Sequence, residues 1–540
     1  MSGVHGTIRA MASSGFLGYD ATMPSRPNIV FFFCDDLGWG DISCLNPESK
    51  IHTPHIDALA ASGMCFTDAH AGSAVCTPSR YTLMTGRYCW RTRLKDGVNG
   101  GYSPSLLTPD RPTVASRLRD VGYTTACIGK WHIGMDWELK SGTPAETGLQ
   151  QHFRQDEGRL DGYIDFTKPV RNGPVDVGFD YYFGISASLD MSPYVFIEND
   201  RVTEVPTGHS PRGIEELRAR PGIAARGWRH ENVLPELERR ALSWIEEQGG
   251  GMNDRTRPFF LYLPVNGPHT PVVPTDEWKG KSGCGIYGDF VMQIDSVVGS
   301  IVDKLEELGI SDQTAVFFSS DNGPETITGA YRDRYGHSSA WKFRGMKRDN
   351  WEGGHRIPYI VRWPEQIAAG TENEHFVELA DFYATALEMA EKYSPGPRTP
   401  VPAIGGEDSF SMLSLLLGKR APAYRSFAIH HSSEGKWAVR RGRWKLLLHP
   451  GSGGNEVECT ENGDPVQLYD METDRFETRN VYADHPDIVR DLKRLCLDAI
   501  TRGRSTPGPD RENEGGQGTG THWSQLRELL ELEVGGDAAG

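Results

Sequence analysis

Nowhere does the sequence hold the ~18–20 consecutive apolar residues of a membrane-spanning helix, so no membrane partner is expected. Basic residues are also short: 57 Lys and Arg stand against 73 Asp and Glu, a formal charge of −16. That deficit argues against a non-specific nucleic-acid binder, although a local basic pocket can still receive an anion. No Cys-x-x-Cys pair occurs among nine scattered cysteines, Cys459 included, which removes zinc ribbons and dithiol redox sites. A chain of 540 residues needs no disulfide staples. Residues 1–25 carry Arg9 but no continuous apolar segment, so they do not read as a secretory leader, and a cytoplasmic location is expected.

What is present suits a large α/β protein. Residues 28–33 (Asn-Ile-Val-Phe-Phe-Phe) form an apolar run of strand formers, the pattern of a strand buried on both faces. Residues 123–128, 259–263 and 314–319 repeat it. Phe290, Ile294, Val297, Val298, Ile301, Leu305 and Leu308 keep helical spacing ahead of the last run, a βαβ connection. The pattern predicts a three-layer αβα sandwich with a mostly parallel central sheet. Further on, Trp437-Ala-Val-Arg and Trp444-Lys-Leu-Leu flank a turn and predict a hairpin, so a smaller C-terminal α+β subdomain with an antiparallel sheet is expected. The expected division is an extension over 1–25, a catalytic domain over 26–400, the subdomain over 401–505, and a tail over 506–540 with a terminal helix near Trp523. Residues 503–521 are rich in Gly, Pro, Thr and charge and read as flexible.

Each apolar run ends in a polar cluster: Asp35-Asp36, Lys130-Trp131-His132, Asn266 to His269, and Asp321-Asn322. In a parallel sheet these ends share one side, where ligands bind. Asp35, Asp36, Asp321 and Asn322 together make an all-oxygen donor set suited to Ca²⁺ or Mg²⁺, while either pair alone would read as a turn or helix cap. Lys130 and His132 could project the same way, and His269 lies in a Pro-stiffened loop. Cys76 precedes Pro78 near a helix N-terminus, where it reads either as a low-pKa thiolate nucleophile or as a buried inert thiol. Arginines at 212, 218, 220, 226 and 229 could meet a polyanionic glycan or form a solvated charged surface.

Cys76-Thr-Pro-Ser-Arg80 followed by Leu83-Met-Thr-Gly86 resembles the signature of the type I sulfatases, the arylsulfatase-like family. Gly129-Lys-Trp-His-Ile-Gly134, Asp35-Asp-Leu-Gly-Trp-Gly-Asp41, Ser320-Asp-Asn-Gly-Pro324 and Trp351-Glu-Gly-Gly-His-Arg-Ile-Pro358 are similar to further segments of that family. The resemblance implies an alkaline-phosphatase-like fold and hydrolysis of aryl or carbohydrate sulfate esters. It also implies oxidation of Cys76 to formylglycine by a formylglycine-generating enzyme; the acting group would be the aldehyde hydrate rather than a thiolate. Asp35, Asp36, Asp321 and Asn322 match the metal ligands, with residue 76 also touching the metal, usually Ca²⁺ and with Mg²⁺ possible. Arg80 matches the residue that holds the hydrate. Lys130 and His269 match groups around the sulfate, with His269 as general acid, and His132 matches the base that deprotonates the second hydroxyl. The second family lysine is read as Lys347 rather than Lys342, because it stands five residues before Glu352. Glu352, Gly353, Gly354 and Arg356 are read as structural. The alternative within the superfamily is a phosphonate monoester or phosphodiester hydrolase. A non-enzymatic binder of sulfated ligands applies if Cys76 stays unmodified.

Overall fold

The strand Asn28–Asp35 sits at the middle of a ten-stranded sheet and is almost wholly buried. It pairs in parallel with Phe259–Pro268 on one side and Thr314–Ser320 on the other, placing Phe31 level with Tyr262 and Phe317. Thr124–Lys130 and then Tyr181–Ile185 extend the parallel region, while Tyr359–Arg362 joins the other flank antiparallel. Alternation along each strand divides the side chains between two cores. Phe31, Phe33, Tyr262 and Phe317 pack under the helices Cys76–Thr85, Val114–Asp120 and Asp381–Lys392. Phe32, Leu261, Leu263 and Phe318 pack under Val233–Gly249 and Gly285–Glu307. Both faces are therefore covered, which is why these strands read as continuous apolar runs. The computed structural model describes residues 26–143, 160–210, 219–250, 257–394, 405–419, 424–455, 463–514 and 523–532. The extension 1–25, Cys459 and the rest of the terminal segment fall outside them.

A four-stranded antiparallel sheet follows, in the order Ala428–His431, Trp437–Arg441, Trp444–Leu447, Gln467–Asp470, covered by the helix Pro486–Arg502. Its seam with the large domain is built of buried ionisable side chains. His70 and His355 meet through their Nδ1 atoms at 3.0 Å, and the His355 ring stacks on His430 with centroids 3.9 Å apart. Lys445 bonds both Glu352 (2.9 Å) and Glu477 (2.7 Å), and Arg356 pairs with Glu352 (2.7 Å). The Glu-Gly-Gly segment thus ties the two sheets together.

Of residues 503–521, expected to be flexible, 503–514 are described and bond to distant segments. Ser505 Oγ donates to Asp408 (2.6 Å), Asn513 Nδ2 donates to the Ile500 carbonyl (2.7 Å), and Arg91 donates to Asn513 (3.2 Å). Polar composition concealed partners supplied by distant segments. The terminal helix is present as Ser524–Glu531, with Trp523 packed against Trp90 and Trp437.

Candidate active site

The four polar clusters lie at the C-terminal ends of four adjacent parallel strands. Pleating would send Asp35 and Asp36 to opposite faces. Asp36 instead adopts a left-handed backbone (φ 63°), which breaks the alternation at a strained position. One ligand atom each from Asp35, Asp36, Cys76 and His269 then lies within 4.8 Å of the others, and all four residues are buried. Asp321 and Asn322 adjoin this group through Asp36: Asp321 Oδ1 accepts the Asp36 amide (3.0 Å), and Asn322 Nδ2 donates to Asp36 Oδ1 (2.8 Å).

Three cations face the three carboxylates. Lys130 Nζ reaches both oxygens of Asp35 (2.8 and 2.7 Å), and Lys347 Nζ reaches Asp36 Oδ2 (2.7 Å). Arg80 lies 2.8 Å from Asp321 and 3.3 Å from Asp35. Burial by itself would raise Asp35, but Lys130, His269, Arg80 and Lys347 hold it well below the ordinary carboxylate range. Burial and the charge of Asp35 push Asp321 up to about 6. Lys342 lies elsewhere, exposed beside Glu48 (3.3 Å).

Cys76 is the first residue of the helix Cys76–Thr85 and is 2% exposed. Burial pushes its thiol up to about 12 despite Lys130 and Lys347, so the thiolate reading fails for an unmodified cysteine. The helix stops at Gly86, whose left-handed conformation (φ 62°) leaves no room for a side chain: a Cβ would lie 2.8 Å from that of Ser409. The loop before Cys76 is fastened from the second sheet, because the Ala74 amide and Ser73 Oγ both donate to the His431 carbonyl (2.9 Å each). Close backbone approach also explains the Asp-Asn-Gly and Glu-Gly-Gly segments, since a Cβ on Gly323 would sit 1.8 Å from the Gly353 carbonyl oxygen.

Asn99, which the sequence reading did not single out, connects the two halves of the site. Its amide donates to Thr77 Oγ1 (3.1 Å), and its carbonyl meets His132 Nε2 (2.8 Å). A carbonyl only accepts, so Nε2 carries the hydrogen and Nδ1, 3.5 Å from Ser188, is left with a lone pair. Burial, then Lys130 and Arg80, hold His132 well below the usual imidazole value. Glu325 was also missed; its carboxylate binds Arg348 twice (2.6 and 2.8 Å) and lies 3.5 Å from Lys347. No signal beyond nearness to Asn322 marks it. His269 Nδ1 bonds the Thr270 carbonyl, and Nε2 faces Asp36 at 3.7 Å. Of the arginines at 212–229, Arg212 and Arg218 lie outside the described residues, Arg220 pairs with Asp190 (3.4 Å), and Arg229 bonds Glu231 (2.8 Å).

The residues fit a divalent cation. Asn322 Oδ1 is buried with no hydrogen-bond partner, an oxygen of the kind a hard cation takes, among carboxylates that already converge.

Carboxylates, a helix-start residue and cations thus gather at the strand ends of one mostly parallel sheet. The Sulfatase family model matches residues 27–392, and the model "N-sulphoglucosamine sulphohydrolase, C-terminal" matches 343–500. The chain is 32% identical to N-acetylgalactosamine-6-O-sulfatase of Bacteroides thetaiotaomicron, over 88% of this chain and 94% of that one. It is 29% identical to human arylsulfatase A over 87% of each. A solved structure described under metabolism of multiple glycosaminoglycans by Bacteroides thetaiotaomicron superposes with a TM-score of 0.75 at 30% identity, covering 88% of this chain and 100% of that one. The chain belongs to the sulfatase family and is a sulfuric ester hydrolase. The phosphonate monoester and phosphodiester alternative is not favoured.

Proposed function

We propose that the protein removes sulfate from carbohydrate esters, with 6-O-sulfated N-acetylgalactosamine as the first candidate substrate. The observation that carries this reading is the 32% identity, across nearly the whole of both chains, with a relative named for that ester. We further propose that residue 76 acts as formylglycine, made from Cys76 by a formylglycine-generating enzyme, and that Ca²⁺ is the resident cation. Asp35, Asp36, Asp321, Asn322 and residue 76 would hold the cation. When bound it supplies Lewis-acid polarisation of a sulfate oxygen. The hydrated aldehyde supplies the hydroxyl that displaces the alcohol from sulfur, passing its proton to Asp321.

The surrounding side chains then have defined tasks. Arg80, buried between Asp35 and Asp321, orients the hydrate. Lys130 and Lys347 spread positive charge over the sulfate oxygens as the S–O bond breaks. His269 gives a proton to the departing alcohol oxygen. His132 takes a proton at Nδ1 from the remaining hydroxyl of residue 76, sulfate departs, and the carbonyl is restored. Water adds back to that carbonyl, so the balance is ester plus water to alcohol plus sulfate. The test is sulfate release from N-acetylgalactosamine-6-sulfate, an aryl sulfate and an aryl phosphonate monoester. Turnover of the phosphonate alone would overturn the proposal.

A further inference from the structure

Beside the segment that carries Lys347 lie two cavities with walls in common. The nearer, 530 Å³, is lined by Thr326, Trp341, Met346 and Asn455, and the Asn455 side chain donates to the Lys347 carbonyl (2.7 Å). The farther, 680 Å³, shares Lys342 and Arg344 with it and ends at Arg479. Both volumes lie in the range of about 300–1,000 Å³ common for small-ligand sites.

The charges of this groove are sorted. Its acids are engaged by the protein itself. Asp349 accepts the amides of Met346 and Asn455 (2.9 Å each), Glu477 pairs with Lys445 (2.7 Å), and Asp464 accepts from Asn480 (3.0 Å). Its cations are turned outward. The side chains of Arg332, Lys342 and Arg479 are 56%, 54% and 78% exposed. Their partners Asp333, Glu48 and Asp484 are themselves exposed, so those pairs are screened by solvent and exchange readily for another anion. Arg344 is fixed, stacked 3.7 Å over Trp351 and donating to the Tyr469 hydroxyl and the Glu477 carbonyl, which leaves its charge uncancelled by either bond. Trp341, half-buried, presents a ring to the nearer cavity. Four cations thus line the two cavities on a protein of charge −16.

We infer that this groove is a second binding site, which takes the neighbouring anionic sugars of a sulfated polysaccharide whose scissile ester lies at the Asp35–Asp321 centre. The inference rests on the carbohydrate-sulfatase reading above. The groove holds the polymer on one side of the centre, and its cations pair with sulfates that are not being hydrolysed. Binding a second stretch of the same chain raises affinity through effective concentration without altering the chemistry.

The test is titration calorimetry on the full-length protein with a chondroitin 6-sulfate octasaccharide, its desulfated counterpart and N-acetylgalactosamine-6-sulfate. The wild type should bind the octasaccharide about ten-fold or more tightly than the monosaccharide. The double substitution Lys342→Gln with Arg479→Gln should cut that ratio by about ten-fold, and added salt should shrink the difference. Arg239→Gln with Lys279→Gln, exposed cations that pair with Glu236 and Asp276, removes the same two charges elsewhere and controls for net charge. The inference is overturned if the groove variant keeps the wild-type ratio, if the control variant loses as much, or if the desulfated octasaccharide binds as well. Sulfate release from the monosaccharide is scored separately, so loss of the substrate assignment and loss of the groove are told apart.

Discussion

Lys347 Nζ lies 2.7 Å from Asp36 Oδ2, closing a buried pair between a loop lysine and the end of the central strand. The carboxylate holds the lysine charged, raised well above its ordinary value even though burial opposes it. In the proposed mechanism this is a permanent cation beside the reacting sulfate. Lys347→Met should lower kcat for an aryl sulfate by about 10²–10³-fold, the usual cost of removing one transition-state charge donor. Unchanged kcat in steady-state assays would remove Lys347 from the mechanism.

Arg80 bridges Asp321 and Asp35, and all three side chains are buried. Arg80→Met leaves two buried carboxylates short of a partner and should cost roughly 3–5 kcal/mol of stability as well as activity. Chemical denaturation measures the first and turnover the second. A variant as stable as the wild type would show that the carboxylates find other compensation.

His132 is buried and neutral with its free lone pair at Nδ1. Because it acts after the alcohol has left, it should set the acid limb of kcat, which should therefore fall below the ordinary histidine value of 6.5. His132→Ala should release one equivalent of alcohol from an aryl sulfate and then slow by about 10²–10⁴-fold, because the base is needed only to free sulfate. Rapid-mixing kinetics report the burst. Its absence, with a slow first turnover, would move His132 to the first half of the reaction.

Chelation should lower both turnover and melting temperature, since the cation binds the folded site and not the unfolded chain. Adding back Ca²⁺ or Mg²⁺ to metal-analysed protein identifies the resident ion. Full activity with no divalent metal present would overturn the assignment of Asp35, Asp36, Asp321 and Asn322 as ligands.

The seam histidines predict acid sensitivity. Burial lowers His70 to about 4 and holds His355 and His430 well below 6.5. Groups depressed in the folded state contribute their stability fully above the unfolded value of 6.5 and lose it as pH falls. His70 alone accounts for on the order of 3 kcal/mol lost between 6.5 and about 4. His70→Gln should flatten that part of the stability curve, and melting temperatures across the window measure it.

Much of this was legible in sequence because the chemistry sits where strands end. Phe31 and Phe32 face different cores, so the first run showed no alternation and declared itself buried on both faces; Asp35 and Asp36 then marked its end. Tyr181–Ile185 and Met64–Phe66 were not recognised as strands. The first is followed by irregular chain, and the second is three residues long, too short for any periodicity to register. Asn99 was illegible for another reason: it acts through its backbone, and a carbonyl leaves no residue-type signature. The contacts of residues 503–514 were not legible because the partners Asp408 and Arg91 are remote in sequence and polar themselves.

The fastening of Ala74 to His431 sets a clock on biosynthesis. In the folded protein residue 76 is buried, yet the strand that holds its loop emerges about 355 residues later, which at ~5–20 residues per second leaves roughly 20–70 s of exposure during translation. Oxidation of Cys76 would belong to that interval. Ribosome-bound chains halted before Ala428 should react at Cys76 with a thiol reagent that the released, folded protein refuses; equal protection in both would show that the loop closes without the second sheet. A host that translates quickly but modifies slowly would then yield a correctly folded and permanently silent enzyme.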